Sequence, residues 1–461
     1  MKACKYYRTL TIGFVLLLGQ ASCKKIVDVD APRNELVTAS VFKDSANAVA
    51  AISGMYVELI NVSTVLQFGN GAITVYTGLS GDELIPTRDN ASQNEFFQNN
   101  ISKENGLVAG LWTQAYKTIY LANACINGLS QSQTLPETLK TTLIAEARFV
   151  RAFVYYHLGA LYGEVPYIST IDFKDNAATG ATPKDSLMLI LADELTEIST
   201  QLPEISASPN KARPCKYAAM ALASRVYLTL QQWQKAEQSA SAVIASGSYG
   251  LETDLSNVFK VSSTESIWQL PAMQAGYETS EAYQFVPQNP GYPPAFTITP
   301  DLLNAFETGD NRMSKWIDSI DVNGQIYYYP FKYSIYYDGN EFSEQPYVIF
   351  RLAECYLIRA EARAQLDKLQ EAVSDINVIR SRAGLSDTPP GDRESLLKAI
   401  EQERRIELFC EWGHRWFDLK RTHTIDQLSK VKPGWQNTDA LYPIPFKEIL
   451  LNPFLHQNEG Y

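Results

Sequence analysis

Two apolar stripes recur along this chain with every position displaced by the same 136 residues. Leu222, Val226 and Leu230 are answered by Ile358, Ala362 and Leu366, and Trp233, Ala236, Ala240 and Val243 by Leu369, Ala372, Ile376 and Ile379. Steps of three and four place each set on one side of a helix. Alanine at the crossing lets two helix axes approach closely, which is what a repeat of stacked helix hairpins requires. An ordinary amphipathic hairpin produces a similar spacing, so the stripes alone leave a true repeat and two unrelated hairpins both open. The copies are not in tandem. If they are a repeat, a large insertion separates them.

Helix also dominates the rest. Ser45 to Leu59 reads as a first helix and Asn61 to Asn105 as a polar, irregular stretch. Trp112, Tyr116, Ile119, Asn123 and Ile126 form the next stripe, and Leu143, Ala147, Val150, Val154 and Leu158, beyond the breaker Pro136, form its partner. Thr182, Pro183 and Asp185 read as an N-cap, a first-turn proline and an early acid, ahead of Leu187, Leu191, Leu195, Ile198 and Leu202. The insertion, residues 248–347, differs in kind. It holds 11 of the 26 tyrosines, and Pro287, Pro290, Pro293 and Pro294 forbid a long helix there. Gln325 to Ser334 can pair as short strands, but most of the insertion is expected to be loop. Long loops on a rigid scaffold are where binding residues tend to sit.

Lys2, Lys5 and Arg8 precede the apolar run Ile12 to Leu18, and Ala21-Ser22-Cys23 follows. The run is too short to cross a membrane, so residues 1–22 read as a signal peptide. Cys23 is the expected lipidation site, with plain secretion as the alternative because Gln20 stands where a lipobox usually has leucine. The remainder, 23–461, reads as one domain. Loss of Lys2, Lys5 and Arg8 would take the net charge from -11 to -14, which argues against nucleic acid as a partner. Cys125, Cys215, Cys355 and Cys410 are scattered and read as buried small hydrophobes.

Signs of catalysis are sparse. The four histidines show no paired metal spacing, and Gly78-Leu79-Ser80-Gly81 misses the nucleophile-elbow pattern by one residue. Neither a metal nor another cofactor is implied. Asp82-Glu83 is the nearest thing to a glycosidase carboxylate pair, and with 51 acidic residues such a pair arises by chance. A carbohydrate site needs flat aromatic faces with amides or charged groups around them. Two loop regions offer this mixture: Arg88 and Asn90 with Phe96 and Phe97, and the insertion's Tyr277, Tyr283, Tyr292 and Trp316. Near the C-terminus, Ile400, Arg404, Leu408 and Glu411 fall on one face of a helix read as running from Arg393 to Glu411, so charge shares that face with core residues. Buried charge must be paired, and Arg404 and Arg405 are expected to meet carboxylates such as Glu354, Glu361, Glu407 or Asp418. Gly384, with Leu385 behind it, reads as a helix C-cap.

An ordered set of motifs points further. Arg351-Leu352-Ala353-Glu354 is followed by Glu403-Arg404-Arg405-Ile406-Glu407-Leu408, by Gly413-His414-Arg415-Trp416-Phe417-Asp418, and by Tyr442-Pro443-Ile444-Pro445 with Gln457-Asn458-Glu459-Gly460-Tyr461. Together with Glu146-Ala147-Arg148-Phe149 and Tyr162-Gly163-Glu164-Val165-Pro166, this resembles the SusD/RagB family over nearly the whole mature chain. Glu459 stands where the family often has proline, and Cys410 and Trp412 also depart from its usual pattern. The resemblance implies a mainly α fold of four tetratricopeptide-like helix pairs, a SusD-like superhelix, with an irregular ligand-facing side. It also implies an outer-membrane lipoprotein, not an enzyme, that delivers glycan to a SusC-like TonB-dependent transporter. Peptide or another nutrient in the same role, a glycoside hydrolase, and a pure interaction scaffold are the alternatives. Replacing Cys23→Ser should release the protein from membranes of cells lacking that transporter, and unchanged membrane fractionation would remove the lipid-anchor reading.

Overall fold

The computed structural model describes residues 41–60, 64–340 and 343–461; the leader and Cys23 lie outside them. Helices α1 (Ser45–Ile60), α2 (Ala72–Ser80) and α3 (Ala91–Gln98) precede a long stack. In that stack α4 (Gly106–Gln131) packs on α5 (Glu137–Tyr162), α5 on α6 (Lys184–Gln201), and α6 on α7 (Lys216–Thr229). It continues through α8 (Trp233–Ala245), α9 (Leu352–Gln365), α10 (Leu369–Arg382) and α11 (Arg393–Glu407), each touching its predecessor, and α12 (His414–Arg421) follows α11. The predicted stripes are the buried faces: Leu143, Ala147, Val150, Val154 and Leu158 on α5, and Leu187, Leu191, Leu195 and Ile198 on α6.

The recurrence is a structural repeat. Helices α7 and α9 begin at 216 and 352, and α8 and α10 at 233 and 369, both 136 apart. The turn between the paired helices repeats as well. Gln231 and Asp367 both take left-handed backbone, with φ of 56° and 60°. In each copy the next amide bonds back into the first helix, Gln232 N to Tyr227 O and Lys368 N to Arg363 O, both at 2.9 Å. Side-chain spacing alone could not separate a repeat from chance, whereas shared turn geometry and hydrogen bonds do.

The insertion leaves after α8 and returns through a strand. β4 (Ser266–Leu270) pairs antiparallel with β8 (Tyr347–Arg351), which runs directly into α9. Earlier strand β1 (Leu84–Pro86) pairs with β5 (Phe296–Ile298), and β2 (Val165–Pro166) with β3 (Ala181–Thr182). The expected pairing near Gln325 is the hairpin of β6 (Ile317–Val322) and β7 (Gln325–Pro330). Its two-residue turn, Asn323-Gly324, has φ of 57° and 84°, as a tight hairpin of right-twisted strands demands.

Three local expectations need correction. The stretch 61–105 is not simply irregular, since it carries α2, β1 and α3. Every residue of α2 is buried, so no polar face marks its period in the sequence. Thr182 is paired in β3, which moves the helix start to Lys184 and puts Pro183 at the cap. The helix from Arg393 ends at Glu407, not Glu411. Beyond it Cys410 and Trp412 turn left-handed (φ 49° and 45°), and their amides donate to Glu83 Oε1 and Thr74 Oγ1. Gly384, in contrast, sits at φ 80° with the Leu385 amide bonded to Arg380 O, the expected C-cap. Cys125, Cys215, Cys355 and Cys410 are buried and unpaired.

A buried ionic cluster joins the insertion to the C-terminal helices. Arg351 reaches Glu265 at 2.9 Å, Glu411 at 2.8 Å and Glu407 at 2.5 Å. Arg312 reaches Asp310, Glu403 and Glu407, and Arg382 reaches Glu265 and Glu407. Lys332 closes the group on Glu411. Arg404 meets Asp418 with two bonds, of 2.8 and 3.0 Å, as expected. Arg405 does not meet the suggested acids: it pairs with Asp82 and Asp301, because Glu354 is held by Arg225, Glu361 by Arg421 and Glu407 by the cluster.

Burial alone would raise the Glu407 carboxyl, but Arg382, Arg351 and Arg312 hold it well below the usual range. Replacing Glu407→Ala takes from three buried guanidiniums the one carboxylate they share, and a loss of about 3–5 kcal/mol in urea unfolding is expected. Glu281 behaves oppositely. Burial pushes its carboxyl from 4.5 to about 8, against the lowering bonds from Thr74 and Tyr347. The native state therefore holds this proton more tightly than the unfolded chain does. The resulting stabilisation is complete below pH 4.5 and is lost as pH rises through about 8. In Glu281→Gln the part of the fall in unfolding free energy between pH 4.5 and about 8 that this carboxyl causes should disappear, and an unchanged pH profile would contradict the assignment.

Candidate ligand site

Antiparallel pairing of β1 with β5 decides where the first candidate loop goes. Leu84 lies opposite Ile298 and Pro86 opposite Phe296, and the Thr87 amide donates to Ala295 O at 3.0 Å. Arg88, the next residue, is thereby delivered to the proline-rich segment more than 200 positions away. Tyr283 arrives from the other side, on the short helix Ser280–Phe285, whose start is capped by Thr279. A cavity of about 180 Å³ is lined by Arg88, Tyr283, Gln288, Asn289, Tyr292 and Pro294, among others.

Local bonds shape the cavity. Gln288 Nε2 donates to Tyr283 O, and Asn289 Oδ1 accepts from the Gly291 amide. The Tyr292 amide in turn donates to Asn289 O, and the Tyr292 side chain stands 67% exposed. Four prolines restrict the backbone dihedrals here, so the loop loses little further freedom when a ligand orders it.

Tyr283 also begins a larger aromatic surface. Its ring lies 6.3 Å from Tyr277 and 6.4 Å from Tyr336, and Tyr277 lies 5.0 Å from Tyr337. Tyr277 and Tyr337 are bridged through their backbones, and Gly276 permits the approach: a Cβ there would come within 2.8 Å of the Tyr337 ring. The side chains of Tyr277, Tyr283 and Tyr336 are half-buried, while Tyr337 is exposed. Tyrosine faces with free edges take the C–H surfaces of a sugar ring, and their hydroxyls bond at the margin. Tyr336 and Tyr337 escaped sequence reasoning, although the insertion's tyrosine enrichment was the signal that covers them.

The other candidates separate. Phe96 is 0% exposed, stacked 4.8 Å from Tyr76 and set edge-on to Tyr442, so it is core. Trp316 is 1% exposed, its indole N–H given to Leu255 O and its ring 4.7 Å from the Lys332 ammonium, so it packs against the ionic cluster and is no ligand platform. Each ring is claimed by aromatic partners from distant segments: Phe96 by Tyr76 and Tyr442, and Trp316 by Phe259 and Phe409. Phe97 is half-buried at a second cavity of about 570 Å³ with Asn99, Asn100 and Lys432, the ammonium of Lys432 3.9 Å from its ring. Asn90 is exposed and caps α3 by accepting from the Gln93 amide.

Asp82 and Glu83 titrate apart without forming a cleavage site. Burial raises Asp82, but Arg415 and Arg405 bring its carboxyl below the usual value. Burial pushes Glu83 up to about 7, and its carboxylate accepts from the Cys410 amide. Both side chains are spent on protein partners, at 4% and 2% exposure. A split of this sort also arises in purely structural networks. Among the described residues no helix is long and apolar enough to cross a membrane.

Comparison with known proteins agrees with this architecture. A model described as SusD family matches residues 311–461, and one described as starch-binding, associating with outer membrane, matches residues 46–228. The chain is 28% identical to SusD-like protein P2 of Formosa agariphila over 97% of its own length and 98% of the relative's. It is 25% identical to the starch-binding protein SusD of Bacteroides thetaiotaomicron, over 72% and 75% respectively. A crystal structure of a SusD superfamily protein from Bacteroides vulgatus superposes with a TM-score of 0.81 at 19% identity, covering 91% of this chain and 100% of that one, a likeness of fold. With two family models spanning both the helical stack and the C-terminal motifs, the chain belongs to the SusD/RagB family.

Proposed function

We propose that this protein is a lipid-anchored component of the outer-membrane surface that binds an oligosaccharide on its tyrosine-lined face and passes it, uncut, to a SusC-like TonB-dependent transporter. The observation that carries the reading is the convergence of Arg88, Tyr283 and Tyr292 on one cavity continuous with the Tyr277, Tyr336 and Tyr337 surface. A shallow aromatic surface with polar groups at its edge suits a saccharide and supplies no opposed carboxylates for hydrolysis. The name of the starch-binding relative and the description of the matched family model support the ligand class and the membrane location. Lipid on Cys23 and the transporter partner rest on the leader and on the family.

Central aromatic residues dominate binding free energy, so Tyr283→Ala and Tyr292→Ala should each cost about 2 kcal/mol, roughly thirtyfold in affinity, by calorimetry against a saccharide panel. Trp316→Ala should instead lower stability, and ligand chain length should stay unchanged on incubation. Hydrolysis that vanishes in Asp82→Asn, or full affinity in the Tyr283→Ala/Tyr292→Ala double variant, would overturn the proposal.

A further inference from the structure

Arg88 is an exception in this molecule. Every other arginine among the described residues lies in an ion pair with an acid. Arg88 forms none, is exposed, and is the sole charged side chain lining the cavity it shares with Tyr283 and Tyr292. Its neighbour Asp89 forms no ion pair with it, and that carboxylate accepts from Asn94 Nδ2 at 3.2 Å.

No carboxylate contributes to the lining, whose side-chain acceptors are the neutral amides of Gln284, Gln288 and Asn289, the last already accepting from the Gly291 amide, and the hydroxyls of Tyr283 and Tyr292. A site for a neutral sugar has to accept protons from hydroxyl groups as well as donate to them, and carboxylates commonly do this. Arg88 lines the cavity with a guanidinium that carries five N–H donors in a planar fork, a geometry matched by the paired oxygens of a carboxylate or sulfate. In a chain of net charge -11 the long-range field holds anions away, so an anionic group is retained only where a cation meets it at contact.

We propose, building on the saccharide-binding reading above, that the ligand is an anionic saccharide whose carboxylate or sulfate is bound by Arg88 while Tyr283 and Tyr292 take the ring. Uronate and sulfate ester present the same oxygen geometry, and matched probes separate them. The purified chain is titrated with oligogalacturonate and its methyl ester, and with carrageenan oligosaccharide and its desulfated form, at low and high salt. A glycan array holding neutral, uronate and sulfated saccharides is run alongside.

The charged member of at least one pair, or the charged saccharides of the array, should bind roughly tenfold or more tightly than neutral counterparts, the expected scale for a charge-assisted bidentate contact. Salt should weaken that preference, Arg88→Gln should abolish it, and Arg88→Lys should keep part of it. Arg88 is exposed and unpartnered, so these changes leave the fold intact. Neutral saccharides bound as well as charged ones, or a preference that survives Arg88→Gln, would overturn this inference while leaving the saccharide-binding proposal in place. Absence of any saccharide binding would overturn both.

Discussion

Glu407 is the point on which the two unlike parts of this molecule meet. Arg351 at the end of β8, Arg312 in the insertion and Arg382 at the end of α10 all converge on its carboxylate, and it sits at the end of α11 with no exposure. Each of these charges is costly to bury alone. Together with Glu265, Glu403, Glu411 and Lys332 they satisfy one another, and any register that displaced one segment would strand charge in the interior. Such a cluster adds little net stability compared with well-packed apolar groups. What it does here is reject alternative arrangements of a loop-rich insertion on a helical base.

That base explains how loops can form a defined surface. The insertion returns to the stack through β8, is clamped to β4 across it, and is pinned at its centre by Trp316 beside the ionic cluster. Farther out, β5 pairs with β1, so the insertion also holds the segment that bears Arg88. Prolines stiffen the remaining span. The candidate binding residues therefore stand on short, tethered loops, and the entropy of ordering such loops is largely met during folding and not at the moment a ligand is captured.

Perturbed titration is a poor guide to function in this protein. Glu83 and Glu281 are raised by burial, Glu407 and Asp82 are lowered by guanidiniums, and all of them sit in the interior with protein partners. By contrast, the group with the strongest claim on a ligand is one that the fold leaves alone. In an acidic chain that pairs its other described arginines internally, a solitary guanidinium beside Tyr283 and Tyr292 is informative because it lacks a structural task.

The helical stack was legible in the residues because amphipathic helices repeat their apolar positions every three to four residues, and because Gly384 and Pro136 punctuate their ends in ways local geometry requires. The motifs around Arg351, Arg404 and Asp418 likewise announced buried paired charge. Helix α2 was not legible, since burial on all sides erases the periodicity that identifies a helix. Phe96 and Trp316 were indistinguishable from Phe97 and Tyr292 as sequence, for an aromatic ring suits a core and a sugar platform equally. Which of them faces outward is settled by strand pairing over two hundred residues and by the ionic cluster. These contacts between distant segments leave no periodic trace along the chain, so the sequence by itself determined the scaffold and the aromatic-rich loops that supply the candidate site, and the tertiary structure alone decided which of their residues turn into the core and which meet at the surface.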